Sequence, residues 1–459
     1  MAYRSQDQSL AEPDEGAGGL PNRSVPPRTP YEEVIASIWR DLLGQPNIGV
    51  FDDFFAVGGH SLLAPKIVAR IRKTLGVHIT VMDFFSSPTV AGLAAAVAAH
   101  TSSSEPRAVS RRPPDAEPVL SFDQQRLWLE NQLLPGAAYN VHVRRRVRGP
   151  LDIATLEAST RAIIARHEIL RTRFPTVAGQ PVQVVDAVDR PWHLVREDYR
   201  DIADDRDRSD AALRRADEDA TTPFDLASGP LFRFLLIALS DTEHLICITS
   251  HHIICDAWSI GLFVRELSAL YQAGGDVERA GLPMLPVQYR DFAVWQRGQL
   301  VGEVLERDVS YWREQLHGAP PTIALPIARR RLPPAGAGAE RVRATLSAPD
   351  AAALSGLCRA HGVTVFMVLL AGLATVLSRW SGQPDVVIGA PIARRNAAGT
   401  DRLIGFFVNT LPLRIDLSGD PTFAELLERV RQSSLNGYAH ADAPLDVLVK
   451  EVQVPRDPR

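Results

Sequence analysis

The chain has 459 residues, 45% of them hydrophobic, and a formal net charge of −4. That length suits about two to four folded domains, and the charge gives no electrostatic reason to expect a nucleic acid or an anionic membrane as partner. Cys247, Cys255 and Cys358 form no CxxC pair, so neither a disulfide framework nor a zinc site is expected, and a reducing cytoplasm is the expected compartment.

Residues 1–27 are rich in Gly, Pro and small polar side chains, contain no apolar signal segment, and predict a flexible lead-in. A helix then starts at Pro30, with Thr29 as its cap and Val34, Ile35, Ile38, Trp39 and Leu42 on one face, and Gly44 can end it. A second amphipathic helix carries Leu63, Ile67, Val68 and Ile71, and an Ala-rich third covers 89–99, so that 28–100 reads as a small helical bundle. Over 101–117, Ser, Pro and charge without apolar period predict a linker with a reach on the order of 20 Å, across which the flanking bodies can move.

From Val119 the pattern is mixed α/β. Helices are predicted at 121–133 and 151–167, and strands at 139–148, 181–186, 231–239 and 243–250. The Asp- and Arg-rich run 187–220 predicts a solvated loop and helix face. After a Pro-rich connection at 319–334 come helices at 348–361, 364–380 and 421–436 and strands at 385–389 and 406–415. The apolar stretch Val363 to Leu377 is short for a membrane span and predicts a buried helix.

Two short segments carry chemistry. At Gly58-Gly59-His60-Ser61 two glycines permit a tight turn, and the helix beyond Ser61 offers unpaired N–H groups and a positive dipole end. This suits a phosphate ester on Ser61, although an ordinary serine cap would explain a bare Gly-Gly-X-Ser. Pro65, fourth in a helix capped by Ser61, would lack the N–H that bonds back to the cap, so an irregular first turn is expected. The second segment, His251-His252-Ile-Ile-Cys-Asp256, lies between the strand HLICITS and a helix with Ile260, Phe263, Val264, Leu267, Leu270 and Tyr271 on one face. A histidine with its ordinary pKa of about 6.5 exchanges protons at neutral pH, and Asp256 can orient it or enter a buried ion pair. No third ligand for a metal is evident.

The run DDFFAVGGHSL at 52–62 resembles the attachment site of peptidyl carrier proteins, and HHIICDAWS at 251–259 resembles the active-site motif of condensation domains in non-ribosomal peptide synthetases. SFDQQRLW at 121–128, RHEILRTRF at 166–174, YRDFAVW at 289–295 and IGFFVNTLPLR at 404–414 resemble further condensation-domain motifs in the expected order. The resemblance implies an all-α four-helix carrier bundle followed by an α/β (α+β) condensation domain. The latter would comprise two chloramphenicol-acetyltransferase-like lobes in a V, at 118–318 and 319–459, with a tunnel between them.

The resemblance also assigns roles. Ser61 would carry a covalent 4'-phosphopantetheine, with Gly59 and His60 beside it. His252 would be the catalytic histidine, His251 would support it, and Asp256 would pair with Arg171 or, as second choice, Arg166. No metal is implied. Two departures stand out. Ala257 replaces the glycine usual after the motif aspartate, and alternation places Arg145 with Val141, Val143 and Val147 on one strand face, as an edge arginine reaching solvent or a gate in the tunnel. Similar domains continue beyond VQVPRDPR, so the second lobe is expected to be incomplete.

The implied function is amide bond formation between a donor aminoacyl or peptidyl thioester on Ser61 and an aminoacyl thioester on a downstream acceptor carrier. An upstream adenylation domain and a phosphopantetheinyl transferase are the other implied partners. His252 would either accept the amine proton or orient the amine, and both roles remain open. Alternatives are an epimerisation domain, a cyclising or ester-forming relative, and a docking scaffold without catalysis.

Overall fold

The structure is a computed structural model that describes residues 25–27, 30–59, 63–75, 77, 79–100, 109–113, 115–326, 342, 344–395, 397 and 399–452. The N-terminal bundle contains α1 (Pro30–Leu43), α2 (Ala64–Leu75), α3 (Val81–Ser86) and α4 (Val90–His100). Ile35 and Trp39 of the α1 stripe, Ile67 and Ile71 of α2, Phe54, Phe84 and Leu93 make one core. Thr29 lies outside the described residues. α2 begins at Ala64, later than a Ser61 cap requires, which puts Pro65 in the first turn, where its missing N–H leaves no helical bond unmade. α3, only six residues long, is too short to show an apolar period and is set by a Thr80/Asp83 capping box.

The next lobe contains α5 (Phe122–Leu133), β1 (Asn140–Arg148), α6 (Ile153–Arg166), β2 (Thr172–Arg173), β3 (Thr176–Val177), β4 (Gln180–Pro181), β5 (Val184–Val185), β6 (Val195–Asp198), α7 (Asp205–Thr221), β7 (Phe232–Ser240), β8 (Glu243–His251), α8 (Ala257–Gln272) and α9 (Tyr289–Gln299). Its sheet has the order β1-β8-β7-β6, antiparallel except between β6 and β7. Alternation divides β7 and β8 between two cores. Leu235, Ile237, Leu245 and Cys247 pack with Ala212 and Ala216 of α7, whereas Phe232, Phe234, Leu236 and Ile248 join the main core. The expected strand at 181–186 reduces to β4 and β5, each only two residues long. The charged run holds β6 as well as α7, whose buried residues are Ala212, Ala216 and Asp219.

The last lobe contains α10 (Gly302–Leu316), α11 (Ala348–His361), α12 (Val365–Ser381), β9 (Asp385–Ala393), β10 (Val408–Asp416), α13 (Phe423–Ala439) and α14 (Leu445–Glu451). β9 pairs antiparallel with β10, so the strand expected at 385–389 runs on to Ala393. α12 is only half buried. Met367, Leu370, Ala371 and Ala374 enter the core while Val365, Leu369, Leu373, Val376 and Trp380 are exposed, a correction to the expected buried helix. No helix among the described residues is long and apolar enough to cross a membrane.

Two expected boundaries move. α10 falls within the first lobe by sequence position, yet Val309 and Trp312 lie in the second lobe's core, and the Trp312 indole donates to the His440 carbonyl at 2.8 Å. The later part of the expected linker belongs to the body: Val109 is buried in the first lobe's core, and Arg111 Nε donates to the Pro286 carbonyl at 2.9 Å. A single valine among polar residues produces no period, which is why the sequence pattern does not reveal it. The lobes also interlock, because Leu403, Ile404, Phe406 and Phe407, between β9 and β10, are buried in the first lobe's core.

Candidate active site

β8 ends at His251, and a single turn of 3-10 helix, His252–Ile254, hands the chain to α8. The His252 backbone N–H is fixed to the Tyr139 carbonyl at 2.8 Å, and its ring Nδ1 stands 2.6 Å from the Cys255 carbonyl. A carbonyl can only accept, so Nδ1 carries a hydrogen, and Nε2 is the ring nitrogen left for other partners. The ring meets Phe406 edge-on at 4.8 Å and remains half-buried.

His251 differs from its neighbour. It is fully buried, and its Nδ1 accepts from the Ile253 N–H at 3.1 Å. Burial, with a smaller contribution from His252, pushes its pKa down to about 4. His251 is therefore neutral at physiological pH and shapes the turn from inside.

Asp256 caps α8 by accepting from the Ser259 N–H at 2.8 Å, and it also accepts from the Ser259 hydroxyl at 2.7 Å and the Phe407 N–H at 3.2 Å. Its ion-pair partner is Arg395, whose Nη2 lies 2.9 and 3.1 Å from the two carboxylate oxygens. This corrects the pairing expected with Arg171 or Arg166. Arg171 Nη1 donates instead to the Asp186 carbonyl, and Arg166 is held by Glu266 and the Pro283 carbonyl, so both are spent within the first lobe.

Arg395 does more than neutralise Asp256. Its Nη1 donates to the carbonyls of Thr400 and Leu403 at 2.8 and 2.7 Å, and the guanidinium lies over the Phe407 ring. One buried fork thus ties the motif aspartate to the loop that enters from the second lobe. Burial pulls the Arg395 pKa below the ordinary arginine range, with Asp256 opposing.

The remaining motifs converge here as supports. Gln124 Nε2 donates to the Ile253 carbonyl at 3.2 Å, and the Tyr289 hydroxyl donates to the Phe406 carbonyl while standing 3.0 Å from Ser121 Oγ. Gly405 packs so closely that a Cβ there would fall 1.9 Å from the Tyr289 ring. Ala257 is exposed at the first position of α8. Arg145 is exposed on edge strand β1, opposite Ile246, with its guanidinium on the Arg144 carbonyl. Arg395 is the functional residue that sequence reasoning misses; the pair Arg394-Arg395, directly after the apolar strand ending at Ala393, is the available signal.

At the other centre, His60 and Ser61 lie outside the described residues. The residues around them fit a phosphate-bearing arm. A Cβ on Gly59 would fall 2.3 Å from the Phe54 ring, Gly58 has φ +97, and the first turn of α2 has no acidic residue. The bundle rests on both lobes: Phe85 stacks on Tyr438 of α13 at 5.7 Å, and the Lys66 ammonium lies 5.1 Å from the centre of the Trp258 ring.

Residues 116–459 match the condensation domain family, and residues 33–97 match the phosphopantetheine attachment site. The chain is 42% identical over 453 residues to one of the proteins that make up linear gramicidin synthase in Brevibacillus parabrevis, covering 98% of this chain and 6% of that protein. It is 40% identical over 457 residues to malpibaldin synthetase from Mortierella alpina, covering 98% of this chain and 8% of that one. The chain therefore spans only a small part of the length of these relatives. Among solved structures, the X-domain from teicoplanin biosynthesis superposes with a TM-score of 0.68 at 30% identity, over 76% of each chain. The first condensation domain of the CDA synthetase gives 0.60 at 26% identity, over 74% of this chain and 80% of that one.

Proposed function

Because the chain belongs to the condensation domain family and carries a phosphopantetheine attachment site ahead of that domain, we propose that it forms amide bonds in non-ribosomal peptide synthesis. The observation that carries this reading is the half-buried His252 ring, whose Nδ1–H is committed to the Cys255 carbonyl and whose Nε2 is the nitrogen left to meet substrate. In this reading Ser61 bears the phosphopantetheine, which supplies a thiol for a donor aminoacyl or peptidyl group. The acceptor amine reaches the same site as a thioester on a downstream carrier. An upstream adenylation domain supplies the donor, and a phosphopantetheinyl transferase modifies Ser61.

A free α-amine has a pKa near 7.7–8.0, so a substantial fraction is neutral and nucleophilic at physiological pH. His252 Nε2 accepts a hydrogen bond from that amine and directs its lone pair at the thioester carbonyl. As the C–N bond replaces the C–S bond of the donor thioester, His252 Nε2 would take one amine proton and return it to the departing sulfur, the phosphopantetheine arm supplying that thiol as leaving group. His251, being neutral, adds no competing charge beside the ring. Asp256 and Arg395 hold the loop without touching the reacting atoms. Delivery of both substrates by tethered arms makes the encounter nearly intramolecular.

The test is to load Ser61 enzymatically with a donor acyl-phosphopantetheine, offer acceptor aminoacyl thioesters, and follow products by mass spectrometry. Amide product is expected with the parent chain. His252→Ala should lose about 10²–10⁴-fold in rate while intact mass shows normal loading. Undiminished amide formation in that variant would exclude His252, and inversion of the donor without amide would point to an epimerising relative.

A further inference from the structure

Two cations from different domains meet at the seam between the carrier and the body, and no carboxylate pairs with either among the described residues. Lys66, in the first turn of α2, holds its ammonium 5.1 Å from the centre of the Trp258 ring. Arg265 stands seven residues beyond Trp258 on α8, two turns along and therefore on the same face. Gly261 between them has no side chain, and Arg265 Nη1 lies 3.5 Å from the place its Cβ would occupy, folded back along the helix toward Trp258. The two charges feel each other: burial first, and Arg265 second, hold the Lys66 pKa below the ordinary lysine range. Arg395 also approaches Trp258, at 5.5 Å, but its charge is already matched by Asp256. Like charges brought together at a half-buried seam repel, and the seam closes most favourably when an anion joins them.

We propose that Lys66, Trp258 and Arg265 form an anion clamp for the phosphodiester of the phosphopantetheine arm, so that modification of the carrier strengthens its docking on the condensation domain. This rests on the reading of Ser61 as the attachment residue. A serine phosphodiester keeps one negative charge throughout the physiological pH range. Lys66 lies five residues beyond Ser61, and with no acidic residue in the first turn of α2 nothing on that turn repels the arm. Arg265 supplies the second cation from the body. The Phe85–Tyr438 stack between α3 and α13 needs no phosphate, so the unmodified carrier docks weakly and the modified one firmly.

The full chain can be spin-labelled at Ser37→Cys on α1 and Glu303→Cys on α10, both exposed, since Cys247, Cys255 and Cys358 are buried. Double electron–electron resonance then gives the docked fraction before and after enzymatic phosphopantetheinylation, with conversion verified by intact mass. The ratio of docked to undocked chain is expected to rise about tenfold on modification, the factor that corresponds to ~1.4 kcal/mol. In the double variant Lys66→Gln, Arg265→Gln the rise should shrink to less than about twofold, while Lys66→Arg keeps it. Equal docked fractions in the modified and unmodified parent would overturn the clamp. So would an undiminished rise in the double variant, whereas an equal rise when inorganic phosphate alone is added to the unmodified chain would leave the cation site standing and overturn the arm's phosphodiester as its occupant. If no mass is added at Ser61, it is the attachment reading that fails.

Discussion

Arg395 Nη2 stands 2.9 Å from Asp256 Oδ1 across the boundary between the lobes, and both side chains are 2% exposed. Removing the arginine would strand a buried carboxylate, which typically destabilises a fold by about 3–5 kcal/mol. Arg395→Ala should therefore lower the urea midpoint sharply. Arg395→Lys should also fail, because a single ammonium cannot serve Asp256 and the Thr400 and Leu403 carbonyls together. Arg171→Ala removes a carbonyl contact and a long ion pair to Glu168 at 3.9 Å, and should cost only ~1–2 kcal/mol. A larger loss for Arg171→Ala than for Arg395→Ala in denaturant titrations would contradict this assignment.

Gly405→Ala should disturb the same junction by another route. The added Cβ would fall 1.9 Å from the Tyr289 ring, which cannot swing away while its hydroxyl is held between Ser121 and the Phe406 carbonyl. Overpacking of this kind costs about 1–3 kcal/mol, and the displaced loop would also loosen Asp256. Tyr289→Leu in the Gly405→Ala background makes room, so the two changes should be less than additive. Strict additivity in a double-mutant cycle of thermal unfolding would refute the steric account.

The elements that can be read from the sequence are those whose burial is local. The α1 stripe, the β7–β8 alternation and the helix after Asp256 each declare themselves by period, and the two motif segments declare their chemistry by spacing. What escapes depends on contacts distant in sequence. Asp256 cannot be assigned to Arg395 by pattern because 139 residues separate them, and the nearer arginines of RHEILRTRF offer equal charge. α10 looks like part of the first lobe by position, and only Trp312 meeting His440 assigns it to the second. Val109 and the short α3 are too brief to generate a pattern, although the Thr80/Asp83 box marks α3 to an eye trained on caps.

Acid should weaken the fold through His251. Its folded pKa is lowered from 6.5 to about 4 by burial and, less, by His252, so the unfolded chain takes up a proton that the folded chain refuses. The stability conferred by the neutral ring is fully present above pH 6.5, declines as pH falls from there, and is gone at about pH 4. A shift of that size corresponds to ~3 kcal/mol. His251→Asn keeps an acceptor for the Ile253 N–H and removes the titration, so its stability should vary less between pH 6.5 and 4 than that of the parent. Parallel pH profiles for the two proteins in urea unfolding would exclude this source of acid sensitivity.

Arg145 is the test of whether an unusual residue type marks function. On edge strand β1 it is exposed, its register partner is Ile246, and among the described residues its guanidinium bonds the Arg144 carbonyl alone, so it reaches solvent without burying charge. Arg145→Ala should leave unfolding within ~0.5 kcal/mol, as for other exposed substitutions away from caps and buried networks. With stability constant, kcat and KM for the acceptor thioester report on the residue's role directly, and both are expected to be unchanged. A several-fold change in either, at an unaltered unfolding midpoint, would instead place Arg145 on the path by which substrate reaches His252.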